Sequence, residues 1–374
     1  MKIGILTFHR AHNYGAMLQA YALYLVLTNK GHEVEFISYR NQQIESAYSC
    51  FRWRYSSDFS FWSNIKNFIA ELIMFARWQR RRKKFMSFAH RFLPESKHMS
   101  IKDMRTFSFE YDAVFFGSDQ IWTTRFLKRF DPIYWGEINL QHGKKIAYAP
   151  SMELTSLSES QKEFVRSHLP LFDALSVREV SMSDMLNNLT AKPIKTVLDP
   201  TLLCSPWDYN NVIKCARFRP DKPYILLYQV GDFEIVAEIA TYLSQILSYD
   251  LVEIRSSVTL RPQKYYKEDL DPSEFISLID NAELVLSCSF HGTAFAVNFH
   301  KPFYSILIKG MDSRARSLLS QIGMMDRGIS SVKDIKINEI LDVDYSYAQS
   351  RLDVLRAQSI DYIDNALAHS KSNT

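Results

Sequence analysis

Apolar residues follow two rhythms along this chain, and their alternation predicts the fold. "KIGILTF" (residues 2–8) is a short run with almost no polar break, as expected of a strand buried on both faces. "MLQAYALYLVLTNKGH" repeats its apolar positions at helical spacing and stops at Gly31, before a second short run, "EVEFISY". Strand, loop, helix and strand form a βαβ unit, which implies a parallel sheet covered by helices.

The series continues with "DAVFFG" (112–117), "KIAYA" (145–149), "ALSV" (174–177) and "IKTVLD" (194–199). A second series comprises "YILLYQV" (224–230), "DLVEIRS" (250–256), "ELVLSCS" (283–289) and "PFYSILI" (302–308). Between them, residues 200–223 hold four prolines and no strong period, which marks a domain junction. The expected architecture is α/β, with two Rossmann-like domains facing across a cleft. Residues 1–200 form the N-terminal domain, 201–345 the C-terminal domain, and 346–374 a solvated helix and tail.

One segment breaks the rhythm. Residues 61–92 read as a long helical insertion carrying Arg80-Arg81-Arg82-Lys83-Lys84 among aromatic and aliphatic residues. A basic amphipathic helix can lie on an anionic membrane face. The plainer expectation is an insertion whose aromatic side packs on the domain and whose charges are solvated.

Bulk properties narrow the function classes. A chain of 374 residues suits two domains, and 47% hydrophobic with 23% charged residues is globular composition. A net charge of +4 is too small to imply a nucleic-acid partner. Cys50, Cys204, Cys215 and Cys288 lack metal or disulfide-framework spacing, so a reducing compartment is expected. With no signal-peptide plan at the start and no apolar run of ~20 residues, the expected location is the cytoplasm, free or at the inner face of the membrane. Neither HExxH nor GxSxG occurs, no metal site is expected, and the first loop is neither GxGxxG nor a P-loop.

Ligands of open α/β sheets bind beyond the carboxyl ends of the strands, which singles out four places. After the first strand, Asn13 and Gly15 open a helix, where free N–H groups suit an anionic or polar ligand, or where Asn13 is simply a cap. After "DAVFF", Gly117-Ser118-Asp119-Gln120-Ile121-Trp122 offers hydroxyl partners in Ser118, Asp119 and Gln120, and in Trp122 either a flat sugar-binding face or a core residue. Arg178, ending "ALSV", presents a planar fork suited to phosphate or carboxylate, or else an ion pair with Glu179. After "ELVLSCS", Ser289, His291, Gly292 and Thr293 bring a proton donor and acceptor, a close backbone approach and a helix N-terminus. Lys309, Arg314 and Arg316 follow as further cations, with His300 in a structural position.

Taken together, "GILTFHRAHNYGAMLQAYAL", "FFGSDQIW", "SVRE", "VLDPTLL", "DPSEFISLIDNAELVLSCSFHGTAFAVNFHKPF" and "DSRARSLL" resemble the polysaccharide pyruvyl transferase family, in the family's order and over most of residues 1–330. The resemblance implies a glycosyltransferase-B-like pair of domains. It also implies transfer of the enolpyruvyl group of phosphoenolpyruvate to a sugar as a cyclic ketal. The acceptor would be a saccharide, either lipid-linked or in a polymer, with phosphoenolpyruvate as co-substrate and no other cofactor. His291 matches the family histidine that contacts phosphoenolpyruvate, and Arg178 matches an anion-binding arginine at a strand end. Two positions depart from the pattern: Ser289 stands where some members have arginine, and Thr123 where asparagine is common. Two other readings share these residues, a nucleotide-sugar glycosyltransferase of the same fold and a non-catalytic saccharide-binding scaffold.

Overall fold

The computed structural model of the chain describes residues 1–41, 61–125, 127–256, 265–268 and 270–368, with side chains described from residue 72 onward in the helix that begins at Phe61. Cys50 and the last residues of the tail lie outside the described residues. Two parallel sheets organise the rest. The first contains β1 (Lys2–Leu6), β2 (Glu33–Phe36), β3 (Ala113–Phe116), β4 (Lys144–Ala147), β5 (Ala174–Val177) and β6 (Ile194–Thr196), in spatial order β2-β1-β3-β4-β5-β6. The second contains β7 (Tyr224–Gln229), β8 (Asp250–Arg255), β9 (Leu284–Ser287), β10 (Phe303–Ile306) and β11 (Gly328–Ile329), in order β8-β7-β9-β10-β11.

The unbroken apolar runs have the expected cause. Ile5 pairs with Phe36 on one side and Phe115 on the other, and helices cover both faces, so successive side chains are all buried. The strand β11 and a small parallel pair, Ser108–Phe109 with Asn139–Leu140, have no counterpart in the sequence reading, because two residues carry no period.

The longer helices are α1 (Tyr14–Asn29), α2 (Phe61–Phe92), α3 (Glu159–His168), α4 (Val180–Asn187), α5 (Glu234–Leu247), α6 (Pro272–Asn281), α7 (Phe290–Asn298), α8 (Ser313–Ile322) and α9 (Ser346–Leu367). The Asn13 side chain caps α1 by accepting from the Ala16 N–H at 3.1 Å, and the chain leaves the helix through Gly31 at φ +85°. Most of α1 is buried on every side, because the sheet covers one face and the second domain the other. Tyr14 stacks on Phe275 of α6 at 4.9 Å and donates its hydroxyl to the Leu270 carbonyl at 3.2 Å. A single apolar cluster runs from Ile3 through Tyr14 to Tyr228 and Phe275, so the junction between the domains is packed core.

Two elements differ from their expected surroundings. Within the cationic run of α2, Arg81 is fully buried rather than solvated. Its Nη1 donates to the Tyr14 hydroxyl at 3.1 Å, and its Nη2 donates to the carbonyls of His12 at 3.3 Å and Ser256 at 3.2 Å. The guanidinium lies 4.8 Å from the Tyr14 ring centre and 4.7 Å from that of Phe85. Arg77 and Lys84 face Glu268 and Glu274, each at 3.4 Å, so α2 is docked on the second domain. The second element is α9, which is not a solvated tail. It returns to the first domain, where Ser359 Oγ accepts from the Leu198 N–H at 3.0 Å and the Tyr362 hydroxyl donates to the Ala147 carbonyl at 2.8 Å. Leu352 and Ile363 are buried beneath it. Among the described residues, no helix is long and apolar enough to cross a membrane.

Candidate functional site

Strand ends from both sheets converge beside α1. The turn after β3 presents Asp119 and Gln120, and the loop before α1 presents Phe8 and Asn13. From the second domain come Ser289, Phe290 and His291 at the start of α7, and Arg314 on α8. These residues line a cleft of about 160 Å³ together with Thr123, Arg125, Cys288 and Met311. Behind Phe290 lies a smaller cavity of about 20 Å³, lined by Arg178, Glu179 and Asp199, and the two share Phe290 and Arg314.

Arg178 is delivered there by the end of β5 and is held rigidly. Its Nε donates to Glu179 and its Nη1 to Asp199 Oδ2, both at 2.8 Å, and its guanidinium lies 4.4 Å from the Phe290 ring centre. The ion pair with Glu179 therefore exists, yet Nη2 is left buried without a partner. Burial alone would pull the guanidinium down, but Glu179 and Asp199, with Asp119 further off, hold it above its ordinary value. Burial would likewise push Asp199 up, but the His291 ring and Arg178 hold its carboxyl well below the usual carboxylate range. Asp199 Oδ1 accepts from the backbone and hydroxyl of Thr201, and Oδ2 accepts from Ser118 at 3.2 Å, so the carboxylate is fixed from three directions.

His291 is buried, and its Nε2 stands 3.7 Å from Asp199 Oδ2, beyond hydrogen-bond length and without another partner. Gly15 explains the placement of the ring. A methyl group on Gly15 would lie 2.2 Å from His291 Nδ1, so the absent side chain is what lets the ring nest against α1. The close approach at Gly15 is thus made by a side chain of the other domain.

Arg314 is half-buried and makes no hydrogen bond or ion pair with another described residue. Burial, and then repulsion from Arg178, lowers its guanidinium from the ordinary value. Arg125 is exposed at the cleft, and its guanidinium likewise has no described partner. Arg316 instead pairs with Asp312 at 2.5 Å, and Lys309 is exposed outside the cleft.

The structure brings together Asn13, Gly15, Asp119, Gln120, Arg178, Ser289, His291 and Arg314 in this region. Ser118, Gly292 and Thr293 face inward. Ser118 donates to the Ala149 carbonyl and to Asp199, Thr293 donates to Ser305, and a methyl on Gly292 would strike Ser287 Oγ at 2.1 Å. Trp122 belongs to the core, stacked 4.1 Å from Trp135, with its indole N–H donated to the Tyr134 carbonyl. Asp199 and Arg125 are the residues that sequence reasoning missed. Asp199 had a signal, as an acid directly after an apolar strand run, and Arg125 had none beyond its closeness to "GSDQIW".

The sequence model of the polysaccharide pyruvyl transferase family matches residues 13–309. No curated protein matches the chain. Among solved structures, a UDP-GlcNAc 2-epimerase from Methanocaldococcus jannaschii aligns with a TM-score of 0.51 at 13% identity, over 96% of this chain and 99% of its own. A glycosyltransferase from Streptomyces nogalater aligns with a TM-score of 0.42 at 12% identity, over 98% and 97% of the two chains. These likenesses concern the fold alone, which is glycosyltransferase-B-like: two Rossmann-like domains.

Proposed function

This chain belongs to the polysaccharide pyruvyl transferase family, and we propose that it moves the enolpyruvyl group of phosphoenolpyruvate onto two hydroxyls of a saccharide, releasing phosphate. The observation that carries this reading is a pair of buried polar nitrogens, Arg178 Nη2 and His291 Nε2, that have no partner among the described residues and stand beside Arg314, which makes no ion pair with any of them. Buried polar groups of this kind cost about 1–3 kcal/mol each when left unsatisfied, which an anionic ligand would recover.

The placement of the charges, which balance overall, supports the same ligand class. Arg125, Arg178 and Arg314 stand against Asp119, Glu179 and Asp199. The two carboxylates nearest Arg178 keep it in place, while Arg314 and Arg125 stay available to a phosphate and a carboxylate on one small molecule. In the proposed sequence, His291 delivers a proton to the methylene carbon of phosphoenolpyruvate as a sugar hydroxyl adds to C2 and passes its own proton to the phosphate ester. The C2–O bond to phosphate then breaks and hydrogen phosphate leaves. A second hydroxyl closes the ring at C2 and returns its proton to His291, with Arg314 and Arg125 neutralising the departing phosphate. Asp119, Gln120 and Asn13 would orient the acceptor from the first domain. General acid–base assistance of this kind contributes roughly 10²–10⁴-fold.

The test is melting temperature with phosphoenolpyruvate or a UDP-sugar, followed by phosphate release over a panel of saccharides. A ligand that binds only the folded state raises the melting temperature. A rise with phosphoenolpyruvate that Arg314→Ala removes, followed by saccharide-dependent phosphate release, is the expected result. A rise with UDP-sugars alone would overturn the assignment.

A further inference from the structure

The burial of Arg81 fixes the rotation of α2 and so decides which of its side chains face outward. At 100° per residue, Arg81, Phe85, Phe88 and Ala89 fall on the inner side, and all are buried. Leu72, Ile73, Ala76, Lys83, Ser87, His90 and Arg91 fall within one outer sector, and all are exposed. Leu72 and Ile73 are 46% and 48% exposed, which is high for large aliphatic residues on a helix docked along its opposite face. From Leu72 to Arg91 this sector is roughly 28 Å long at ~1.5 Å per residue. Lys83, Met86, Ser87, His90 and Arg91 border a shallow groove of about 520 Å³ on it.

We propose that this outer face of α2 docks the protein on an anionic lipid surface. The acid of α2, Glu71, precedes this stretch, and no Asp or Glu occurs from Leu72 to Phe92, so the outer sector itself carries only cations and neutral side chains. The order of residues suits the interface: aliphatic side chains at one end enter the acyl boundary, while Lys83 and Arg91 meet headgroup phosphates. The inner side of the same helix touches the His12 carbonyl, next to Asn13 at the cleft, so docking would hold the cleft close to the membrane. The inference goes beyond the reaction proposed above and does not depend on it.

The experiment uses the full chain and sedimentation with vesicles of pure phosphatidylcholine or of equimolar phosphatidylcholine and phosphatidylglycerol. The wild type should bind the anionic vesicles and release them at high salt. Each cation near an anionic surface contributes roughly fivefold, so Lys83→Glu and Arg91→Glu combined should weaken binding by roughly 25-fold or more. Leu72→Ser with Ile73→Ser should weaken it to a smaller extent, in a way that salt does not mimic. Each variant's melting curve is measured alongside, and unfolding of the charge-reversal variant leaves the aliphatic pair to decide. Equal affinity for both vesicle types, or for neither, overturns the proposal. So does concentration-dependent self-association that Leu72→Ser and Ile73→Ser abolish in a protein that ignores vesicles.

Discussion

Arg81 and Arg178 are both buried arginines near the junction of the two domains, and they have opposite surroundings. Among the described residues Arg81 has no carboxylate partner; carbonyls and a hydroxyl from both domains accept from its two terminal nitrogens, its Nε is left without a partner, and two aromatic rings lie against it. Arg178 has two carboxylates, one aromatic face and a donor turned to no protein atom beside a cavity. The first arrangement is mechanical, since a single side chain joins α1, α2 and the loop after β8. The second is a held cation with capacity in reserve, the arrangement that a polar ligand completes. Burial alone does not mark a site. The identity of the acceptors does.

The largest expected effect separates chemistry from architecture on the ligand side. His291→Gln should lower turnover by roughly 10²–10⁴-fold and the melting temperature far less, because Nε2 makes no hydrogen bond to a described residue and Gln keeps most of the packing against Gly15. Phosphate release from phosphoenolpyruvate and calorimetry on the same preparation check this. Arg178→Lys keeps the charge that Glu179 and Asp199 require but loses the planar fork, so it too should cut turnover far more than stability.

Arg81→Met should do the reverse. It keeps most of the volume but leaves the Tyr14 hydroxyl and the carbonyls of His12 and Ser256 without their donor. Several buried acceptors left in this way cost about 3 kcal/mol together, read from denaturant midpoints. Activity per folded molecule should stay within a few-fold of wild type. An Arg81→Met protein as stable as wild type would remove the mechanical half of the comparison.

Much of the scaffold was legible and much of the junction was not. Continuous apolar runs located the main strands because a strand covered on both faces has no reason to alternate, and Gly31 and Asn13 marked the ends of α1 through local backbone rules. Periodicity also found α2 but could not tell Arg81 from its neighbours, since the rings that cover it arrive from α1 and from its own next turn. The same limit applied to Gly15, whose partner His291 lies in the other domain, and to α9, whose polar surface hides the first-domain backbone it contacts. For the site, strand-end placement found Arg178 and His291. It did not show that Asp199 stands between them, because that contact joins a domain junction to a helix in the next domain.

Acid titration sharpens the contrast within the mechanical region. Burial, followed by the charges of Arg81, Arg82 and Arg10, lowers the His12 ring from 6.5 to about 4. A histidine lowered on folding binds fewer protons in the native state, so its contribution is complete above pH 6.5 and is lost as the pH falls toward 4. The loss should reach about 2–3 kcal/mol, and His12→Gln should flatten that part of the stability profile. Glu95 acts in a different window. Burial raises its carboxyl, but His9 and Arg10 bring it down to about 2, so its contribution disappears only as the pH falls below 4.5. A stability profile with its first step near pH 3 instead of between 6.5 and 4 would mean that His12 is not held neutral.

The smallest effect tests whether α9 belongs to the mechanical system at all. Ser359 Oγ is the acceptor for the buried Leu198 N–H, one residue before Asp199, and it donates in turn to the Leu355 carbonyl. Ser359→Ala leaves that N–H without a partner at a cost of about 1 kcal/mol, visible as a small fall in melting temperature. Because Asp199 is also held by Arg178, Ser118 and Thr201, its carboxylate should not move, and turnover should be unchanged. If turnover falls with Ser359→Ala while stability is retained, the two regions are coupled through residues 198 and 199, and the division between a mechanical and a ligand-facing arginine no longer describes the junction.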